Sequence, residues 1–239
     1  MQKPEKILLK FSIIGTLLIF GMASLSYIFF REPAAPSADL PVSVADGAVV
    51  EDDGNEPMST SDATAFVIDE TQSDIRFSLG EKLGGEPVTV VGDTDIFSGT
   101  LYFSADAPQD AQISEILINA RDFKTDNDFR NRAIQNQILN TAAYEYIRFL
   151  PTSINGLPNA VNLGDSVAFE IVGDLTIKDV TREVTFAAEA TFVSETQIDG
   201  YASTMIRYAD YDIFIPSAPR VADVDEEVLL EIEFVALAE

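Results

Sequence analysis

A chain of 239 residues, 46% of them hydrophobic, is long enough for one or two cored domains. Its 40 acidic against 15 basic residues leave a net charge of −25, which repels nucleic acid and anionic lipid headgroups at long range and excludes a nucleic-acid partner. With neither cysteine nor histidine, the chain lacks disulfides, thiolate metal sites, Ser-His-Asp and Cys-His nucleophiles and every imidazole base.

Residues 1–6 read as a short cytoplasmic N-terminus and residues 7–30 as a transmembrane signal anchor. Phe11 to Phe30 is free of charge, and Ile7, Leu8 and Leu9 extend it, which matches the ~20 apolar residues a helix needs to cross a bilayer. Lys3, Lys6 and Lys10 precede it, and Arg31 is followed at once by Glu32, so the positive-inside tendency predicts a single-pass membrane protein with its C-terminal domain outside the cytoplasm. A cleaved signal peptide is the competing reading, and the bulky run Tyr27 to Phe30 favours retention. Residues 31–64 form an acidic, Pro-rich linker whose composition predicts disorder, because it offers little apolar surface to bury. The charge asymmetry is strong, +3 over residues 1–31 and −28 over the rest.

From residue 65 to 239 the dominant pattern has period two, the spacing of side chains on a strand. Ile75, Phe77 and Leu79 alternate with polar neighbours; Leu101 and Phe103, then Ile116, Ile118 and Ala120, follow. Val167, Phe169, Ile171 and Leu175, then Val184, Phe186, Ala188 and Phe192, and finally Val228, Leu230, Ile232 and Phe234 repeat the rule. Turns are expected at Val172-Gly173-Asp174, unless Gly173 bends a single strand, and at Ile198-Asp199-Gly200. The segment DFRNRAIQNQIL predicts the one short helix, with Asp128 as N-cap and Ile134 and Ile138 on one face. About eight strands, apolar on one side, must pack against a second sheet or curl shut, and a barrel plugged by a helix satisfies this.

The run from Gly173 to Ala187, GDLTIKDVTREVTFA, resembles the signature hairpin of the YceI-like family of polyisoprenoid-binding, lipocalin-like proteins. Gly92, Phe97-Ser98-Gly99-Thr100-Leu101-Tyr102-Phe103, Thr125, Arg130-Asn131, Ile134, Tyr144-Glu145, Phe149 and Tyr211-Asp212-Ile213 are similar to other family segments in the same order. Thr94, Asn131, Glu145 and Asp179 depart from the family pattern. The resemblance implies an all-β, eight-stranded antiparallel lipocalin-like barrel with an elongated apolar cavity for a long isoprenoid, a quinone or polyprenol. It implies a ligand rather than a cofactor, and no catalytic residue.

On that reading the pocket is lined by Phe77, Leu79, Leu101, Phe103, Ile116, Ile118, Ile134, Ile138, Phe149, Phe169, Ile171, Phe186, Phe192, Ile232 and Phe234. The same side chains would serve equally to fill a solid core. Arg130 and Arg132 are the candidates for a polar headgroup, a quinone oxygen or a pyrophosphate, through charge-assisted hydrogen bonds. Alternatively they balance Asp122, Asp126 and Asp128 on the surface. Those three aspartates lack the glycine and distal glutamate of a calcium loop, so no metal site is assigned. The partners expected are an isoprenoid-like lipid and the membrane, with a homodimer also admitted. The competing function is a solid-core interaction module that binds a protein through its acidic surface, or through Tyr208, Asp210, Tyr211 and Asp212.

Overall fold

The computed structural model describes residues 31–37, 40 and 63–239. The expected N-terminus at 1–6, the signal anchor at 7–30 and most of the linker lie outside the described residues. Among the described residues no helix is long and apolar enough to cross a membrane.

The fold is all-β, a curled antiparallel sheet with one short α-helix. Thirteen strands appear among the described residues, where the sequence pattern predicts eight. The difference comes from breaks that hydrophobic alternation does not reveal. The first strands, β1 (Thr64–Ile68) and β2 (Asp74–Leu83), lie end to end along β13 (Glu227–Ala238), pairing Phe66 with Ala238 and Ile75 with Ile232. The break between them is bridged when the Asp69 amide donates to the Val235 carbonyl at 2.8 Å and the Val235 amide donates to Ser73 Oγ at 2.9 Å. A serine hydroxyl thus stands where a strand would offer a carbonyl, and the ladder continues past the bend.

The next pass is split into β3 (Glu86–Thr94), β4 (Phe97–Ser98) and β5 (Thr100–Phe103), and the one after into β6 (Gln112–Ile113) and β7 (Ile116–Asn119). Strand β3 pairs with β2, β4 with β7, and β5 with both β1 and β6. The same device recurs at the second break, where Ser114 Oγ accepts from the Thr100 amide at 2.9 Å. The remaining long strands are β8 (Tyr146–Asn155), β9 (Ser166–Ile177), β10 (Val180–Ser194) and β11 (Gln197–Arg207). They form a plain antiparallel run from β7 through β8, β9, β10 and β11 to β13. The short β12 (Val221–Ala222) pairs with the end of β2.

The turn expected at Gly200 falls inside a strand, and at Gly173 it is the alternative, a position within a single strand, that the structure bears out. Gly173 lies within β9 and Gly200 within β11, while the hairpins close at Lys178-Asp179 and Glu195-Thr196. These glycines serve close packing. A Cβ on Gly173 would stand 2.7 Å from the Phe149 ring, and one on Gly200 would stand 2.3 Å from the ring of Phe234, its cross-strand partner. The turn is made instead by Lys178 at φ 61°.

The helix α1 (Asp128–Ala133) continues into one π-helical turn, Ile134–Ile138. Its N-cap is Asn127, one residue before the expected Asp128; the Asn127 side chain accepts from the amides of Phe129 and Arg130. Asn and Asp cap equally well, so sequence pattern alone does not separate adjacent candidates. The helix is tied across one end of the sheet by the buried Gln135, whose amide donates to the carbonyls of Arg121 and Phe123.

Candidate functional site

The apolar faces of the strands meet inside the curl, but they do not enclose one continuous hollow. At mid-height the Phe149 and Phe186 rings meet at 5.0 Å, tilted 60° to each other, and are buried together with Phe97, Ile116, Ile118, Ile171 and Leu175. On either side of this packed layer lies an apolar cavity, and the two share no lining residue.

The larger cavity, about 170 Å³, sits under the helix. Its wall includes Phe77 and Leu79 of β2, Phe123 before the helix, Ile134 and Ile138 of the π-helical turn, and Ile206, Val228 and Leu230 from β11 and β13. Phe77 and Phe123 meet edge to face at 5.4 Å and set one side of it. The segment after β11 closes the rim with Tyr208, Ile213 and Ile215. The smaller cavity, about 50 Å³, lies at the opposite end between Leu101, Phe103, Phe169 and Phe192 and the loop residues Leu157 and Val161.

One ion pair enters the larger cavity's otherwise apolar wall. Arg130 Nη2 lies 2.9 Å from Glu81 Oε1, and their side chains are 20% and 8% exposed. Arg130 Nη1 bonds Asp126 at 2.6 Å. A guanidinium so placed retains donors for an oxygen in the cavity, while its charge is already matched by two carboxylates.

The fifteen expected pocket residues divide in three. Phe77, Leu79, Ile134 and Ile138 line the larger cavity; Leu101, Phe103, Phe169 and Phe192 line the smaller one. Ile116, Ile118, Phe149, Ile171, Phe186, Ile232 and Phe234 pack in the core. The elongated cavity implied by the resemblance is therefore interrupted, because aromatic rings from β8 and β10 fill the centre. Of the headgroup candidates, Arg130 reaches the cavity wall. Arg132 instead lies over the Phe129 ring at 5.9 Å and is not part of that wall.

Glu81 escaped the sequence reading, although it continues the alternation of Ile75, Phe77 and Leu79 by one more step. Ile213 and Ile215 carried the same period-two signal in a segment that folds as a loop. Tyr211, offered as part of a surface motif, is 1% exposed, and Tyr208 faces the larger cavity. Burial pushes the Tyr211 hydroxyl up to about 12, and no hydrogen-bond partner meets it among the described residues. Nor do Asp122, Asp126 and Asp128 converge: Asp122 pairs with Lys124 at 2.8 Å and Asp126 with Arg130.

The family model of the YceI-like domain matches residues 66–236. The chain belongs to the YceI-like family. Among solved structures, it is similar to a polyisoprenoid binding domain from Saccharophagus degradans implicated in plant cell wall breakdown, at 17% identity and a TM-score of 0.58. That match covers 74% of this chain and 99% of the other. BcnA of Burkholderia cenocepacia matches at 16% identity and a TM-score of 0.56 over 70% of this chain and 98% of its own. The Campylobacter jejuni YCEI protein matches at 17% and 0.51 over 62% and 84%. At such identities the likeness is one of fold. No curated protein matches the chain.

Proposed function

We propose that this YceI-like protein is a membrane-tethered, extracytoplasmic carrier that holds an isoprenoid-like lipid, a quinone or polyprenol, without catalysing a reaction. The observation that carries the reading is the cavity beneath the helix, apolar over nearly all its wall and with Arg130 at one point on it. The similarity to the polyisoprenoid binding domain from Saccharophagus degradans supports the same ligand class.

The strand pairings support a finer reading of the architecture. When β1 with β2, β3 to β5, and β6 with β7 are each taken as one interrupted stave, the curl closes as an eight-stave barrel, the size that accommodates one small ligand. The cavity of about 170 Å³ is below the roughly 300–1,000 Å³ of pockets that enclose a drug-sized molecule. It takes one end of a long chain and leaves the remainder at the rim. Each methylene it buries contributes about 0.8 kcal/mol, so a few isoprene units suffice for useful affinity.

Native mass spectrometry of the purified chain, followed by titration with ubiquinone and menaquinone, tests this. Retained lipid or micromolar uptake is the expected result. A chain that emerges empty and takes up neither quinone is not a carrier of this class. The competing interaction module is disfavoured by the cavity and by the burial of Tyr211.

A further inference from the structure

The first described residues do not hang free of the sheet. The Arg31 carbonyl accepts from Asn136 Nδ2 at 3.0 Å, the Ala35 carbonyl accepts from Arg121 Nη1 at 3.3 Å, and the Ser37 amide donates to Glu145 Oε1 at 2.8 Å. Arg121 and Glu145 are themselves paired at 2.7 Å, with side chains 17% and 14% exposed, so the segment is seated on a fixed pair of charges. Asn136 belongs to the π-helical turn whose Ile134 and Ile138 line the larger cavity. In the sequence Arg31 immediately follows the uncharged apolar stretch with no spare chain between, and Arg31 itself is held at the helix covering the larger cavity.

A second observation falls at the same end. Phe214 and Phe129 are 77% and 73% exposed, the highest values among the exposed large hydrophobic side chains of the described residues. Phe214 lies between Ile213 and Ile215, and Phe129 precedes Arg130; all three neighbours line the larger cavity. Two largely exposed phenylalanine rings beside residues that line an apolar cavity suit the interface of a bilayer, and Phe129 also carries the Arg132 guanidinium over its ring.

We infer that the barrel end bearing the larger cavity faces the bilayer that holds residues 7–30, with Phe129 and Phe214 seated at its interface. The inference rests on the reading of those residues as a membrane anchor. A lipid then passes between bilayer and cavity without crossing water.

The absence of native cysteine makes the test direct. The full chain is reconstituted into phosphatidylcholine vesicles carrying single environment-sensitive labels introduced through Phe129→Cys, Phe214→Cys or Leu163→Cys. Leu163 is 56% exposed and lies in the loop beside the smaller cavity, at the far end. Nitroxide-bearing lipids are expected to quench labels at 129 and 214 several-fold more than a label at 163. A Gly-Ser spacer inserted between Phe30 and Arg31 should reduce that difference.

Equal, weak quenching at all three positions in vesicle-bound protein overturns the orientation. Labels at 129 and 214 shielded from both lipid nitroxide and aqueous iodide mean that a second copy covers the rim, which also overturns it. A chain that fails to float with the vesicles overturns it at the anchor. Quinone uptake, scored separately by mass spectrometry, reports on the carrier function whatever the orientation.

Discussion

Arg130 is held by Glu81 on the cavity side and by Asp126 on the solvent side, and the two contacts differ in worth. Asp126 is 89% exposed and contributes little, whereas Glu81 is nearly sealed from water. Arg130→Ala strands the Glu81 carboxylate, and chemical denaturation should show a loss of about 3 kcal/mol. Arg130→Ala combined with Glu81→Met removes the stranded charge and should recover most of it. The same two carboxylates decide what end group the site accepts: a neutral carbonyl or hydroxyl oxygen takes a free donor of Arg130, whereas a pyrophosphate meets an arginine already neutralised. In competition binding, a polyprenol should displace a bound quinone at lower concentration than its pyrophosphate ester. Tyr211 presents the opposite case, a buried hydroxyl with no partner among the described residues, pushed up to about 12 by burial. Tyr211→Phe should leave the melting midpoint unchanged or raise stability by up to about 1 kcal/mol.

At the scale of elements, the two cavities are separable by filling each in turn. Val228 is on the wall of the larger and Val167 on that of the smaller. Val228→Phe places a ring in the space under the helix and should abolish quinone uptake, while Val167→Phe should leave it nearly unchanged; circular dichroism confirms that both variants fold. The alternating strands were readable because burial on one face imposes period two, and the segments holding Ile75, Phe103, Phe169 and Phe186 all fold as strands. The strand breaks were not readable, since Ser73 and Ser114 look like any polar residue until their hydroxyls are seen bonding a neighbouring strand. Nor does alternation distinguish a ring that lines a space from one that fills it. Phe77 and Phe149 carry the same signal, yet one faces the cavity and the other closes the centre. The seated segment 31–37 was equally hidden, because its bonds are made largely by backbone groups whose partners lie a hundred residues away.

At the scale of the whole molecule, charge governs the approach to a membrane that the proposed function requires, and Glu145 ties the seating of residues 31–37 to pH. Burial alone would raise the Glu145 carboxyl, but bonds from Ser37 and Asn119 and the charge of Arg121 outweigh it and hold it below the usual glutamate range. A carboxyl depressed in the folded state stabilises the seated segment above its unfolded value of about 4.3, and that contribution disappears as pH falls through the lower folded value. The segment should therefore stay seated at neutral pH and lose this contribution as pH falls below the usual glutamate range. Glu145→Gln should release it at neutral pH, seen as faster amide exchange of residues 32–37.

Across the neutral range the governing term is the −28 carried by residues 32–239, which acts before any contact forms. Screening confines it to about 8 Å at physiological ionic strength and extends it several-fold in dilute salt. Quinone loading from acceptor vesicles that do not hold the anchor requires the acidic domain to reach a second surface. Loading from phosphatidylglycerol vesicles should be slower than from phosphatidylcholine vesicles by about tenfold in low salt, the two converging as salt is added. On the proposed orientation, loading from the bilayer that holds the anchor should show much less of this dependence, because a rim that faces that bilayer has no repulsive approach to make. If salt and headgroup charge alter both routes equally, the cavity opens to bulk water and the anchor serves only to raise local concentration.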